Sequence, residues 1–249
     1  MAAITFSPTQ GQMGGRLTNV PAFPGESFGL GIPESIGDAA RPAWFGKITP
    51  EWQGLDDGSA RCVARLKGEL SYTIHVVPHD DCVDINLTVT NESDRAWAQS
   101  LAFNCFQCGS APSIRDLECV RHWVRTGGEF RRLIQVPRKF SPRPTIQLYS
   151  VEGAPPGMDI PFVANFHATP PDVVLEGWMA IRSRDGSRLV AAASKPALFL
   201  FHNMEYSCIH SSPGFGPLGP GETGQALTKV YFVEATLEEW HAWMLKDLA

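Results

Sequence analysis

Long apolar runs are missing from this sequence. None approaches the ~20 residues that a membrane-spanning helix needs, so neither a helical span nor a membrane partner is expected. The opening residues, MAAITFSPTQGQMGG, have neither a basic start nor an apolar stretch. No secretory leader is expected, and the expected compartment is the cytoplasm. Concentrated positive charge is also scarce. Lys and Arg number 21 against 26 Asp and Glu, a formal net charge of −5. Nucleic acid needs clustered cations to neutralise its phosphates, so it is not an expected partner. One local basic group stands out: Arg121, Arg125, Arg131, Arg132, Arg138, Lys139 and Arg143. It is the one place where an anion would be steered, and its plainer reading is a solvated surface. Cysteines number 6 at irregular spacing, which is no secreted disulfide framework.

Several motifs are absent too. There is no G-x₄-G-K-[ST], no G-x-G-x-x-G between a strand and a helix, and no G-x-S-x-G elbow. Nucleotide-dependent chemistry and an α/β-hydrolase are therefore poor readings of the chain.

What the chain does have is strand signal and turn residues. Gly 23 and Pro 20 suit many turns between short strands. In CVDINLTVT, Cys82–Thr90, the residues Val83, Ile85, Leu87 and Val89 alternate with Asp84, Asn86, Thr88 and Thr90. That is the pattern of a half-buried antiparallel strand. Arg61–Leu66 and Glu69–Val77 flank a Lys67-Gly68 turn, and Asp185-Gly186 is a second hairpin signal. Strand character also falls on Trp97–Phe106, Leu133–Val136, Thr145–Val151, Val173–Arg182, Arg188–Ser194, Ala197–His202, Tyr206–His210 and Leu227–Val233. Pro155-Pro156-Gly157 and Pro170-Pro171 mark loops. Residues 1–60 are irregular, yet too rich in Phe, Trp, Ile and Leu for a disordered tail, and read as an ordered arm packed over a sheet, with short strands or turns. One helix is expected over 236–248. Thr236 caps it, Glu239 completes a capping box, and Leu237, Trp240, Trp243 and Met244 form its apolar face. The expectation is an all-β, antiparallel β-sandwich in a single domain, 1–249, with an N-terminal arm and a C-terminal helix.

The segment KPALFLFHNMEYSCIHSSPGFGPLGPGE holds the densest group of polar residues behind an apolar run. An unbroken strand would place His202, Tyr206, Cys208 and His210 on one face. His202, Glu205 and His210 are the expected acid–base residues, and Ser211–Gly221 the expected rigid loop walling the pocket. The same imidazoles and carboxylate suit a divalent metal. Tyr206, Arg121, His79, His122 and Trp123 are candidate substrate contacts, Arg for its paired donors and Trp for its flat face. Cys105-x₂-Cys108-x₁₀-Cys119-x₂-His122 has the spacing of a Cys₃His zinc site.

The turn Leu218-Gly219-Pro220-Gly221-Glu222, the strand Leu227–Val233 after it, Leu237-Glu238-Glu239, and the stretch Val89 to Asp94 resemble the galactose-mutarotase-like β-supersandwich. The resemblance covers the C-terminal third and implies a saccharide partner. Two functions follow as expectations. One is a carbohydrate-processing enzyme of lyase, epimerase or glycosidase type using His/Glu acid–base chemistry. The other is a non-catalytic sandwich that binds a saccharide or a protein, with or without a structural zinc.

Overall fold

The computed structural model describes residues 4–44, 46–137, 146–154 and 173–249. Its strands are β1 (Thr5–Pro8), β2 (Gly15–Thr18), β3 (Phe28–Asp38), β4 (Ala43–Trp44), β5 (Glu51–Gly54), β6 (Ala60–Leu66), β7 (Leu70–Pro78), β8 (Cys82–Asn91) and β9 (Trp97–Gln107). There follow β10 (His122–Thr126), β11 (Glu129–Arg132), β12 (Ile146–Ser150), β13 (Trp178–Arg182), β14 (Leu189–Lys195), β15 (Ala197–Asn203), β16 (Cys208–Leu218) and β17 (Thr223–Val233). A single α-helix, α1, spans Leu237–Asp247.

The strands form two antiparallel sheets. One runs β1-β2-β3-β9-β16-β15-β12, with β4 on β3, and the other runs β11-β10-β13-β14-β17-β8-β7-β6-β5. The expected antiparallel sandwich with a C-terminal helix is what the chain forms. The alternation in β8 does what it implies. Val83, Ile85, Leu87 and Val89 are buried, and their neighbours Asp84, Asn86, Thr88 and Thr90 are not. One core is shared by the facing sides of both sheets. Phe232 of β17 meets Phe28 of β3 at 4.9 Å and Phe106 of β9 at 5.6 Å between ring centroids.

Each sheet also has an outer face. On the nine-stranded sheet, α1 covers Trp178, Ala191 and Tyr231 with Leu237, Trp240 and Met244. The Thr236 hydroxyl accepts from the Glu239 backbone, and the Glu239 carboxylate accepts from the Thr236 backbone, as a capping box requires. The buried face is Leu237, Trp240, His241 and Met244; Trp243 is 45% exposed, contrary to expectation. On the eight-stranded sheet, the outer face carries Leu101, Phe103, Leu148, Phe199 and Phe201.

Three expected elements differ. Leu133–Val136 holds a 3₁₀ turn, Leu133–Gln135, not a strand. The N-terminal arm is not draped over a sheet but supplies β1 to β5, strands of both sheets. Ser211–Gly221 is mostly strand. It continues β16 beside β9, with register shifts at Gly214 and Gly216 that let Gly and Pro sit in the middle of a sheet. Phe45, Thr145 and the two Pro-rich loops lie outside the described residues.

Candidate active site

β15 and β16 form a hairpin, turning at Met204–Ser207, so no single strand joins His202 to His210. Phe201 pairs with His210 and His202 pairs with Ile209. Side chains on paired residues share a face, so the two histidines point to opposite sides of the sheet. His202 faces the shared core. Its ring stacks on Tyr149 at 5.6 Å and lies 6.3 Å from His122. Glu205 and Tyr206 sit on the exposed turn, Tyr206 with 63% of its surface open. The structure therefore does not bring His202, Glu205 and His210 together.

The other candidates are dispersed. The Arg121 guanidinium donates to the carbonyl oxygens of Ser113, Ile114, Arg115 and Arg182, so its donors tie backbone segments together. His122 is buried, with Nδ1 2.9 Å from Asp116 Oδ2. Trp123 is half-buried on the outer side of the nine-stranded sheet, under the Arg132 guanidinium. His79 is exposed, 3.2 Å from Asp84. In the basic group, Arg125 pairs with Glu176 and Arg131 with Glu129. Arg138, Lys139 and Arg143 lie outside the described residues.

The Cys₃His spacing does not assemble either. Cys108 and Cys119 belong to the shared core, and Cys105 projects from the other side of β9, in step with Leu101 and Phe103. Odd and even positions of a strand cannot converge on one ion.

His210 does meet another carboxyl, Glu34, which no sequence pattern marks. Between Gly31 and Ser35 the pairing of β3 with β9 slips. Gly31 faces Cys105 and Ser35 faces Phe103, so three residues of β3 stand where one of β9 does. The bulge turns Glu34 onto the outer face. There a carboxylate oxygen of Glu34, Cys105 Sγ and an imidazole nitrogen of His210 all lie within 4.8 Å of one another. Space for Glu34 comes from Gly31, where a Cβ would sit 3.1 Å from Glu34 Cγ and 3.4 Å from Cys105 Cβ. Glu34 also lines a cavity of about 460 Å³, together with Met13, Gly31, Ile48 and Gln107. That volume falls in the range of small-molecule sites.

Burial governs the charges of this trio. It raises the Glu34 carboxyl above its ordinary value, against the hydrogen bond from Cys105. It lowers His210 to about 4, the Phe201 carbonyl pulling the other way. Cys105 is pushed up by its hydrogen bond with Cys208 and by burial. The His210 ring stacks face to face on Phe103 at 4.7 Å, and Nδ1 lies 3.0 Å from Phe201 O. A carbonyl only accepts, so Nδ1 carries the proton and Nε2 is left with a lone pair.

No protein-family model matches the chain, and no curated protein matches it. Solved structures do. The likeness is to proteins described as sugar epimerases and their relatives. A galactose mutarotase related enzyme from Lactobacillus acidophilus has 10% identity and a TM-score of 0.46, over 95% of this chain and 99% of its own. A galactose mutarotase-like protein from Clostridium acetobutylicum has 10% identity and a TM-score of 0.43, over 87% and 81%. A putative aldose 1-epimerase from Escherichia coli has 11% identity and a TM-score of 0.42, over 74% and 69%. These matches span 74% to 95% of this chain.

Proposed function

We propose that the chain is a carbohydrate-processing protein of epimerase type and that Glu34, at the cavity wall, is its proton-transfer group. The observation that supports this is the convergence of Glu34 and His210 where the cavity meets the outer face of the eight-stranded sheet. Interconverting sugar anomers through the open chain requires a proton taken from the anomeric hydroxyl and one given to the ring oxygen. One carboxyl with an imidazole behind it suffices for that exchange. Burial lowers His210 to about 4, so its imidazole is neutral near pH 7, and it raises the Glu34 carboxyl, which holds a proton more readily than an exposed carboxyl does. Glu34 is the group that a ligand in the cavity would touch. His210 is 2% exposed and acts through Glu34 as a positioning and proton-holding partner.

The glycosidase alternative needs two carboxyls flanking the bond. Among the described residues the trio supplies one. The epimerase reading makes the smallest demand on the groups present. Polarimetry of freshly dissolved aldoses tests it. The protein should speed the approach to rotational equilibrium, and Glu34→Gln should slow it by ~10²-fold or more. Wild-type protein that binds an aldose without accelerating the change would support the non-catalytic binding module instead.

A further inference from the structure

We infer that Glu34, Cys105 and His210 form a binding site for one thiophilic divalent cation of the zinc type. Three neighbouring strands, β3, β9 and β16, each contribute one ligand atom, and the ligands differ in kind: an oxygen, a sulfur and a nitrogen. Zinc accepts all three donor types. Hard cations such as calcium or magnesium would reject the sulfur.

The surroundings are those of a supported metal site. Metal-binding imidazoles typically donate their second N–H to a carbonyl or carboxylate, which fixes the ring and its tautomer. His210 does so through Nδ1 to Phe201 O at 3.0 Å. Stacking on Phe103, with ring planes 2° apart, holds the ring in that orientation. Cys105 has two hydrogen-bond partners of its own, the Cys208 thiol and the Gln107 side chain. The Gln107 bond favours a thiolate, and the Cys208 bond opposes one. Gln107 and Glu34 line the same cavity, which gives an ion a route in. Three protein ligands leave one coordination position for water or a ligand oxygen. On binding, the Cys105 thiol releases its proton to solvent and its sulfur forms the metal bond.

A consequence follows for turnover, and it alone rests on the epimerase reading. The ion would occupy both Glu34 and His210, so metal and proton transfer exclude each other and zinc would inhibit.

Cobalt(II) chloride added to the metal-free protein tests the site without any substrate. One cobalt per chain should bind with a thiolate-to-cobalt charge-transfer band in the near ultraviolet. Cys105→Ser should abolish the band, and Glu34→Gln or His210→Ala should weaken binding roughly tenfold or more. Absence of the band in wild-type protein overturns the site, as does a band that survives Cys105→Ser. Should Cys105→Ser fail to fold, cadmium NMR on the wild type decides the matter. A shift of a mixed S, N and O site supports the assignment, and an all-oxygen or multi-thiolate shift refutes it. Failure of the epimerase reading would leave the cobalt band intact; failure of the metal site would leave anomer exchange insensitive to zinc.

Discussion

His122 shows how burial and one hydrogen bond divide the charge of a pair. Its ring is 1% exposed, and Nδ1 donates to Asp116 at 2.9 Å. Burial lowers its pKa from 6.5, and the Asp116 carboxylate only partly offsets this. Burial also works against the Asp116 carboxylate, but His122 and the Arg121 backbone N–H together hold it below its ordinary value. The Arg121 charge and the His202 ring are the other groups facing His122. A histidine whose folded pKa is depressed contributes stability above its unfolded value. That stability is lost as pH falls through about 6.5, because the unfolded chain takes up the proton first. Asp116 acts in the same sense at lower pH. The urea midpoint should therefore drop between about pH 7 and pH 5, and His122→Gln should flatten that part of the curve. An unchanged slope in the variant would assign the pH dependence to other groups. This dyad and Glu34 were both hard to read from sequence. His122 was legible as a polar residue but not as Asp116's partner, since the five-residue loop between them, 117–121, fixes their meeting. Glu34 lies in a Gly- and Pro-rich stretch with no period, and only the bulge in β3 gives its side chain a direction.

At the scale of elements, legibility followed periodicity. β6, β7 and β8 alternate cleanly and are joined by short turns, so their extents were readable within a residue or so. Only the start of β16, Cys208–His210, was readable as a strand. Its Ser, Pro and Gly residues are turn formers, and only two bulges against β9 allow them into the sheet. The turn at Met204–Ser207 sets His202 and His210 on opposite faces, where an unbroken strand would have set them on one, because each residue's side depends on an unbroken count. α1 was readable because its cap is local. Thr236→Ala removes the hydroxyl that accepts from Glu239 at 3.2 Å and should cost about 1 kcal/mol in urea unfolding. It should leave anomer exchange unaffected, since α1 lies on the sheet that does not carry Glu34. Unchanged stability would mean that Trp240 and its neighbours hold the helix without the cap.

The whole molecule gives its two outer faces different tasks. The nine-stranded sheet spends its outer face on packing, with Trp240 against Trp178 at 4.9 Å. The eight-stranded sheet carries the glutamate, thiol and imidazole of the trio on its outer face, beside a cavity. Alternation along β9 keeps these roles apart. Ala102 and Phe106 go to the shared core, and Leu101, Phe103 and Cys105 go outward. A sandwich built this way can carry polar groups on one side of a sheet without opening its core. The most direct measurement is the crystal structure of the protein soaked with an aldose. The sugar should lie in the cavity beside Gly31 and Gln107, with its anomeric hydroxyl or ring oxygen in hydrogen-bond reach of Glu34. A sugar bound on the exposed Glu205–Tyr206 turn or against Trp123, with the Glu34 cavity empty, would contradict the account.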